Sequence, residues 1–444
     1  MKIQYTRVIS TSTTPQGSTP SRWLKRLFQC LCGTILVYIV AFCALFDYIS
    51  GPLLDHSQSK PFDFIYEFQA NHPPRTERFP SVEQRVKLYM GPWYTHENHT
   101  LSWQYHGGSS MVEIWNESNP EDQRVTLISS TSVKSQGQPF FLQAAPMQRC
   151  ASIWNGLAGF LKRAVGKGTD FKTYCEGVVD LAKETSRERP PILFSFGDAH
   201  SQVTWFPMLG KWRNRHFTQK DPILWTLAER RHFGLIPSLP KVDIKWNQKH
   251  PGAVWRGELT GKQESSHRLS QTTATDLEKC RDNRRCRFVL DHVDELDVRL
   301  TGLGNHYLRS KHVGGKTILG LPLTRHQMLQ NQILFSLEGN DVSSGLKWML
   351  MSNSVVLLED TRRTSWAMEE WLEPFVHYVP INTTNVMQQV EWVRQHPLEA
   401  EKIAQRATLF MWDMLYHPNA QQEEQEIQAR IIERYNALWK TKAG

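Results

Sequence analysis

The residues best suited to chemistry follow a strand-like run. Gln332-Ile-Leu-Phe-Ser-Leu337 is short and mostly apolar, and Glu338-Gly339-Asn340-Asp341-Val342-Ser343-Ser344-Gly345-Leu346-Lys347-Trp348 continues it with small and polar residues that open a helix expected from about Ser343 to Met351. A helix start offers unpaired N–H groups and the positive end of the peptide dipoles, and small side chains let an anion approach the backbone. Ser343, Ser344 and Gly345 are the candidate contacts, with Lys347 one turn in as a mobile cation. An ordinary Asp- or Ser-capped helix gives the same pattern. Other chemistries fail on spacing. Gly315-Lys316-Thr317 ends like a phosphate-binding loop, but Ser310 stands where its first glycine belongs, which disfavours nucleotide hydrolysis. Gly302 and Gly304 begin a dinucleotide fingerprint that Tyr307 breaks. Ser343 and Ser344 lack the upstream glycine of a nucleophile elbow. The acidic stretch Asp291 to Asp297 contains no D-x-D triplet and reads as a charged loop leading into a strand.

Positioning such residues takes alternating strands and helices. Strand-like runs at 192–196, 253–255, 297–301, 332–337 and 355–358 alternate with helical stretches, a pattern of parallel sheets in α/β layers. With 444 residues, 40% hydrophobic and 16 Trp, the chain has enough apolar material for two such layers, which excludes a small binding module and global disorder. The C-terminal stretch is helical over 385–395, from Pro397 as a first helical residue to Tyr416, and over 421–440. Residues 48–90 are rich in Pro, Ser and polar side chains and read as a stem. The resulting partition is 1–26 tail, 27–47 anchor, 48–90 stem, 91–240 and 241–395 two α/β domains, and 396–444 helices packing across both.

Leu27 to Phe46 carries no Asp, Glu, Lys or Arg, and 20 residues of helix span about 30 Å, the thickness of a hydrocarbon core. Arg22, Lys25 and Arg26 precede it and Asp47 follows, so the short N-terminus is expected in the cytosol and the rest in a lumen or outside. A cleaved signal peptide has a shorter apolar core and small residues where Phe46, Asp47 and Tyr48 stand. Five of the net +8 charges sit in residues 1–26, leaving +3 on the folded part, and a nucleic-acid partner loses its electrostatic footprint. Sequons at Asn98, Asn116 and Asn382 fall on the lumenal side. Cys150, Cys175, Cys280 and Cys286 lie beyond the span, an even set that allows two disulfides, and the close spacing of Cys280 and Cys286 suggests a small clamped loop.

LFSFGD (193–198), VWRGELTG (254–261), LEGNDVSSGLKWMLMSNSVVLLED (337–360) and EEWLEPFVHYVPI (369–381) together resemble glycosyltransferase family 90, the family of capsule-associated, lipopolysaccharide-modifying and protein O-glucosyltransferases. The resemblance implies a GT-B fold, two Rossmann-like domains facing a cleft, here preceded by one N-terminal transmembrane helix. It implies transfer of a sugar, xylose or glucose, from a UDP-sugar to a hydroxyl of a glycan or glycoprotein, with inversion and without a metal or other cofactor. Residue by residue, it makes Asp198 the general base that takes the acceptor's proton, with His200 as a rival, and Arg256 a diphosphate contact. Arg268 is a second cation, joined by Ser343, Ser344, Gly345 and Lys347, and Glu359 with Asp360 stands where a ribose or base contact arises. The stretch Trp371 to Tyr378 is a candidate pocket wall. The expected setting is a single-pass type II protein of the Golgi or ER membrane. A catalytically inactive glycan- or partner-binding relative is the alternative, and a glycan hydrolase, which needs two carboxylates flanking one bond, a further rival.

Overall fold

The computed structural model describes residues 64–95, 101–106, 111–119, 124–128, 133–135, 144–146, 190–195, 205–216, 221–227, 232–261, 273–304 and 307–440. The expected membrane span, Asp198, His200, Arg268, Cys150 and Cys175 lie outside them. Among the described residues no helix is long and apolar enough to cross a membrane.

Three short helices come first: α1 (Phe64–Ala70), α2 (Arg75–Arg78) and α3 (Val82–Met90). Ser81 caps α3 reciprocally, its hydroxyl accepting the Gln84 N–H while the Gln84 side chain accepts the Ser81 N–H. Val86, Tyr89 and Met90 then share a buried face, and Phe79 and Ile65 are buried beside them. Residues 64–90 are therefore folded against the core where the sequence reads as a stem, because one apolar stripe of widely spaced residues is masked by the polar residues between.

Strands β1 (Leu101–His106), β2 (Met111–Asn116), β3 (Arg124–Ile128) and β4 (Val133–Ser135) form an antiparallel meander, not the parallel layer expected here. A second sheet runs in the order β5-β6-β7-β9, from β5 (Ala144–Pro146), β6 (Leu193–Ser195), β7 (Leu209–Gly210) and, beyond β8 (Trp212–Asn214), β9 (Ile223–Leu224). Its strands β6, β7 and β9 are parallel, and β5 joins antiparallel.

After α4 (Leu239–Val242) come β10 (His250–Gly257), α5 (Asp276–Asp282), α6 (Arg284–His292) and β11 (Asp297–Leu300). A hairpin of β12 (His312–Val313) and β13 (Lys316–Thr317) precedes α7 (Arg325–Leu329), β14 (Asn331–Ser336), α8 (Leu346–Leu350), β15 (Val355–Glu359), β16 (Arg363–Ser365) and β17 (Val379–Ile381). Five of these strands make a wholly parallel sheet in the order β11-β10-β14-β15-β17, and the fold is mixed α/β. The near-continuous apolar runs follow from burial on both faces. Val254, Leu334, Val356 and Leu358 enter one core cluster, while Ala253, Trp255, Ile333, Phe335 and Leu357 enter the other.

Helices α9 (Val386–Gln395), α10 (Pro397–Leu415) and α11 (Ala420–Ala437) complete the chain. Helix α10 lies on the parallel sheet side, where Thr408 Oγ1 donates within reach of the Leu350 and Ser352 carbonyls. Helix α11 reaches the earlier part of the chain: the buried Tyr435 hydroxyl accepts the Leu193 N–H of β6 and faces the Pro191 and Pro207 carbonyls at 2.9 and 3.2 Å. Strands β8 and β16 pair antiparallel, a second tie between early and late segments.

Candidate functional site

Strand β10 pairs with β11 on one side and with β14 on the other, so the chain order reverses between β10 and β14. In parallel α/β sheets the crevice outside the carboxyl ends of two such strands is the ordinary ligand site. The loops there are Glu258–Gly261 after β10 and Leu337–Gly345 after β14, flanked by Asp360–Arg362 after β15. The start of α6 faces the same loops. Asn283 caps it by accepting the Cys286 N–H, and the Cys280–Cys286 disulfide fastens α5 to α6, closing the loop that the spacing suggests.

Arg285 ties the two crevice loops together. Its guanidinium donates to the carbonyls of Glu338 (3.0 Å), Glu258 (3.0 Å) and Leu337 (2.8 Å) and to Thr260 Oγ1 (2.8 Å). Burial lowers its pKa to about 10, which leaves it charged at neutral pH. The loops approach so closely that a Cβ on Gly339 would lie 2.6 Å from Thr260 Oγ1 and 2.9 Å from the Arg285 guanidinium. Gly261 sits at φ +106°, a left-handed backbone that suits glycine, and donates its N–H to Asn340 Oδ1 at 2.9 Å.

Two buried carboxylates lie behind these loops. Burial pushes Glu338 up to about 7, although Arg363 opposes the shift. Its Oε1 accepts the N–H groups of Arg362 (3.0 Å) and Arg363 (3.1 Å). Burial likewise raises Glu359, against the pull of Arg284, with which it pairs at 2.8 Å. Glu359 also accepts the Glu338 N–H at 2.5 Å. Asp341 forms an ion pair with Lys211, which precedes β8. A cavity of about 150 Å³ opens beside Glu359, between α6 and the carboxyl ends of β15 and β17, and Arg284, Asp360 and Asn382 line it. That volume falls short of the roughly 300 Å³ at which ligand pockets begin.

Of the residues expected at the site, Ser343, Ser344 and Gly345 lie on the crevice loop and are half-buried. The helix after them is shorter than expected, Leu346–Leu350, with Gly345 at its cap. Glu359 is at the crevice, with Asp360 exposed at its rim. Lys347 is not a mobile cation: it is fully buried, and its Nζ pairs with Glu369 Oε1 at 2.7 Å. Burial opposes ionisation of Glu369, but Lys347 and the Ser365 hydroxyl hold its carboxyl below the ordinary range. Arg256 is also consumed within the protein. It pairs with Asp297 at 2.7 Å and donates to the Leu321, Trp255 and Asp297 carbonyls, so its fork is turned away from a diphosphate in this arrangement. His377 and Tyr378 enter β17 from its amino end, the edge opposite the crevice, so this part of the Trp371–Tyr378 stretch does not wall it. The sequence assigns no role to Glu338, Arg284, Arg285 or Arg363; the arginine pairs at 284–285, which open a helix, and at 362–363, where β15 gives way to β16, are the available signal. Among the described residues no three His, Cys, Asp or Glu side chains cluster as a metal site requires.

Comparison with known proteins agrees with this frame. The family model described as glycosyl transferase family 90 matches residues 239–443. The chain is similar to O-glucosyltransferase LpsA of Dichelobacter nodosus, at 28% identity over 226 residues that cover 50% of this chain and 61% of that protein. It is similar to protein O-glucosyltransferase 3 of Homo sapiens, 25% identical over 30% of this chain and 27% of that one. The same-named protein of Rattus norvegicus is 22% identical over 58% of this chain and 49% of its own length. The chain thus spans less than two thirds of the length of these curated relatives. Residues 239–443, the stretch that the glycosyl transferase family 90 model matches, hold the parallel sheet and the loops of its crevice.

Proposed function

We propose that this protein is a glycosyltransferase that moves glucose or xylose from a UDP-sugar to a hydroxyl of a glycan or glycoprotein, with inversion and without a metal. The observation that carries the reading is the reversal of strand order at β10 and β14, with a polar, arginine-pinned crevice at the carboxyl ends of those strands. The names of the relatives, both O-glucosyltransferases, favour glucose over xylose. The crevice is the nucleotide subsite. Ser343, Ser344 and the backbone of the 337–345 loop meet the diphosphate, Arg268 supplies the cation that Arg256 and Lys347 do not, and Glu359 with Asp360 borders the ribose. Asp198 accepts the acceptor's hydroxyl proton as that oxygen attacks the anomeric carbon from the face opposite UDP, the new C–O bond forms, and the bond to UDP breaks with its electron pair leaving on phosphate. The GT-B arrangement of two Rossmann-like domains and a type II anchor at Leu27–Phe46 in the Golgi or ER membrane belong to the same proposal; the Cys280–Cys286 disulfide supports an oxidising compartment.

A second reading, a non-catalytic glycan- or partner-binding relative, is favoured by the loss of Arg256 and Lys347 to protein carboxylates. One assay separates the two. The full chain is supplied with UDP-glucose, UDP-xylose and other UDP-sugars in the presence of a chelator, and free UDP is measured. Release with one donor, abolished in Asp198→Ala, is the expected result. No release from any donor, with UDP still raising the thermal midpoint, establishes the binding relative instead.

A further inference from the structure

A second cavity, of about 490 Å³, lies away from the crevice. Val376 and His377, at the amino end of β17, line it, whereas the crevice-side cavity is lined by Ile381 and Asn382 at that strand's carboxyl end. Its other walls are the α1–α3 segment and the middle of α10. The size lies within the roughly 300–1,000 Å³ range of ligand sites.

Its charged side chains pair unevenly. Asp413, at its base, is matched by Arg78 (3.2 Å) and Arg75 (3.9 Å). Arg406, half-buried in the wall, donates no hydrogen bond and forms no ion pair among the described residues. Its charge is nevertheless felt: after burial, Arg406 is the chief cause holding both His72 and His377 below the ordinary histidine range, His377 at about 4. His377 Nδ1 accepts the Glu373 N–H at 3.0 Å, which leaves the Nε2 proton of the neutral ring as a donor. A guanidinium with its fork unused and an imidazole N–H suit a carboxylate.

The rest of the wall selects against a bare multivalent anion. Glu77 and Glu373 are exposed carboxylates at the rim, which repel phosphate and accept hydrogen bonds from hydroxyls. Trp371 is half-buried there and offers an apolar ring surface. Hydroxyls, one carboxylate and a face of C–H groups occur together on a sugar acid. We propose that this cavity is a second saccharide site that takes a hexuronate residue, Arg406 holding its carboxylate and Glu77, Glu373 and Trp371 its ring. The site goes beyond the transfer reaction and does not depend on the UDP reading.

The test is calorimetric titration of the full chain with methyl β-glucuronide, methyl β-glucoside and inorganic phosphate, repeated for Arg406→Gln and Arg406→Lys. UDP affinity is measured on the same samples, and Arg406→Gln leaves it unchanged. Glucuronide is expected to bind more tightly than the other two probes, and Arg406→Gln to weaken it by about tenfold or more. Arg406→Lys keeps the charge and loses the fork, so it weakens glucuronide severalfold and serves if the glutamine variant does not fold. Glucoside or phosphate binding as tightly as glucuronide overturns the proposal, as does glucuronide that fails to bind at millimolar concentration or is indifferent to both substitutions.

Discussion

Glu338 is a carboxyl buried behind the crevice, with a folded pKa near 7 against an ordinary 4.5. The folded state therefore holds its proton more tightly than the unfolded chain. Its contribution to stability is greatest below about pH 4.5 and is lost as pH rises through 7, a change on the order of 3 kcal/mol. Glu338→Gln keeps an oxygen for the Arg362 and Arg363 N–H groups and removes the titration, so it should flatten the dependence of the thermal midpoint on pH between about 5 and 8; an unchanged slope refutes this. Lys347 and Glu369 show the other regime. Lys347→Ala leaves a buried carboxylate without its partner and is expected to cost about 3–5 kcal/mol in denaturant melts. The Lys347→Met, Glu369→Leu double variant should recover most of that, whereas additive losses would mean that the two side chains are not energetically coupled. Neither role was readable beforehand. The sequence shows Lys347 one turn after a loop of small residues, but its partner lies 22 positions on, and only the fold brings that carboxylate to it.

Elements were more legible than their chemistry. The strands at 253–255, 297–301, 332–337 and 355–358 were evident because a sheet buried on both faces needs continuous apolar runs, and the C-terminal helices because their apolar residues recur at helical spacing. The helices at 64–90 are obscured because only one narrow stripe is apolar, and the antiparallel meander because the alternation of Leu101, Trp103 and Tyr105 with Ser102, Gln104 and His106 marks a strand but not the direction of its neighbours. At the crevice, α6 matters most, since its first turn delivers Arg284 and Arg285. Its tether to α5 is the Cys280–Cys286 bond, whose small loop stabilises by about 2 kcal/mol in the chain-entropy treatment. Reduction, or the double serine variant, is expected to lower the thermal midpoint and to weaken UDP binding together; a fall in stability with undiminished UDP affinity would detach α6 from the site. Gly339→Ala probes the same place from the other loop. Its methyl group meets Thr260 and Arg285, so UDP affinity should fall severalfold, and an undiminished affinity would contradict the role given to this loop.

At the scale of the molecule, the last helix closes the fold onto its early strands. Tyr435 accepts the Leu193 N–H of β6 and turns its one proton toward the Pro191 and Pro207 carbonyls, and Glu423 on α11 pairs with Arg75 at 2.7 Å and with Arg85. Tyr435→Phe leaves the buried Leu193 N–H without its acceptor and should cost about 1–3 kcal/mol in global unfolding. The sequence indicates these helices and places 396–444 across both α/β domains, but not which residues they touch, since hydrophobic period reports a face and not its partner. What the crevice does is most directly tested by hydrogen exchange of the full chain with and without saturating UDP. Slowed exchange at the amides of 258–261, 337–345 and 359–363 is the predicted result. Protection confined to other segments, or none at all, would contradict a nucleotide site at the carboxyl edge of the parallel sheet.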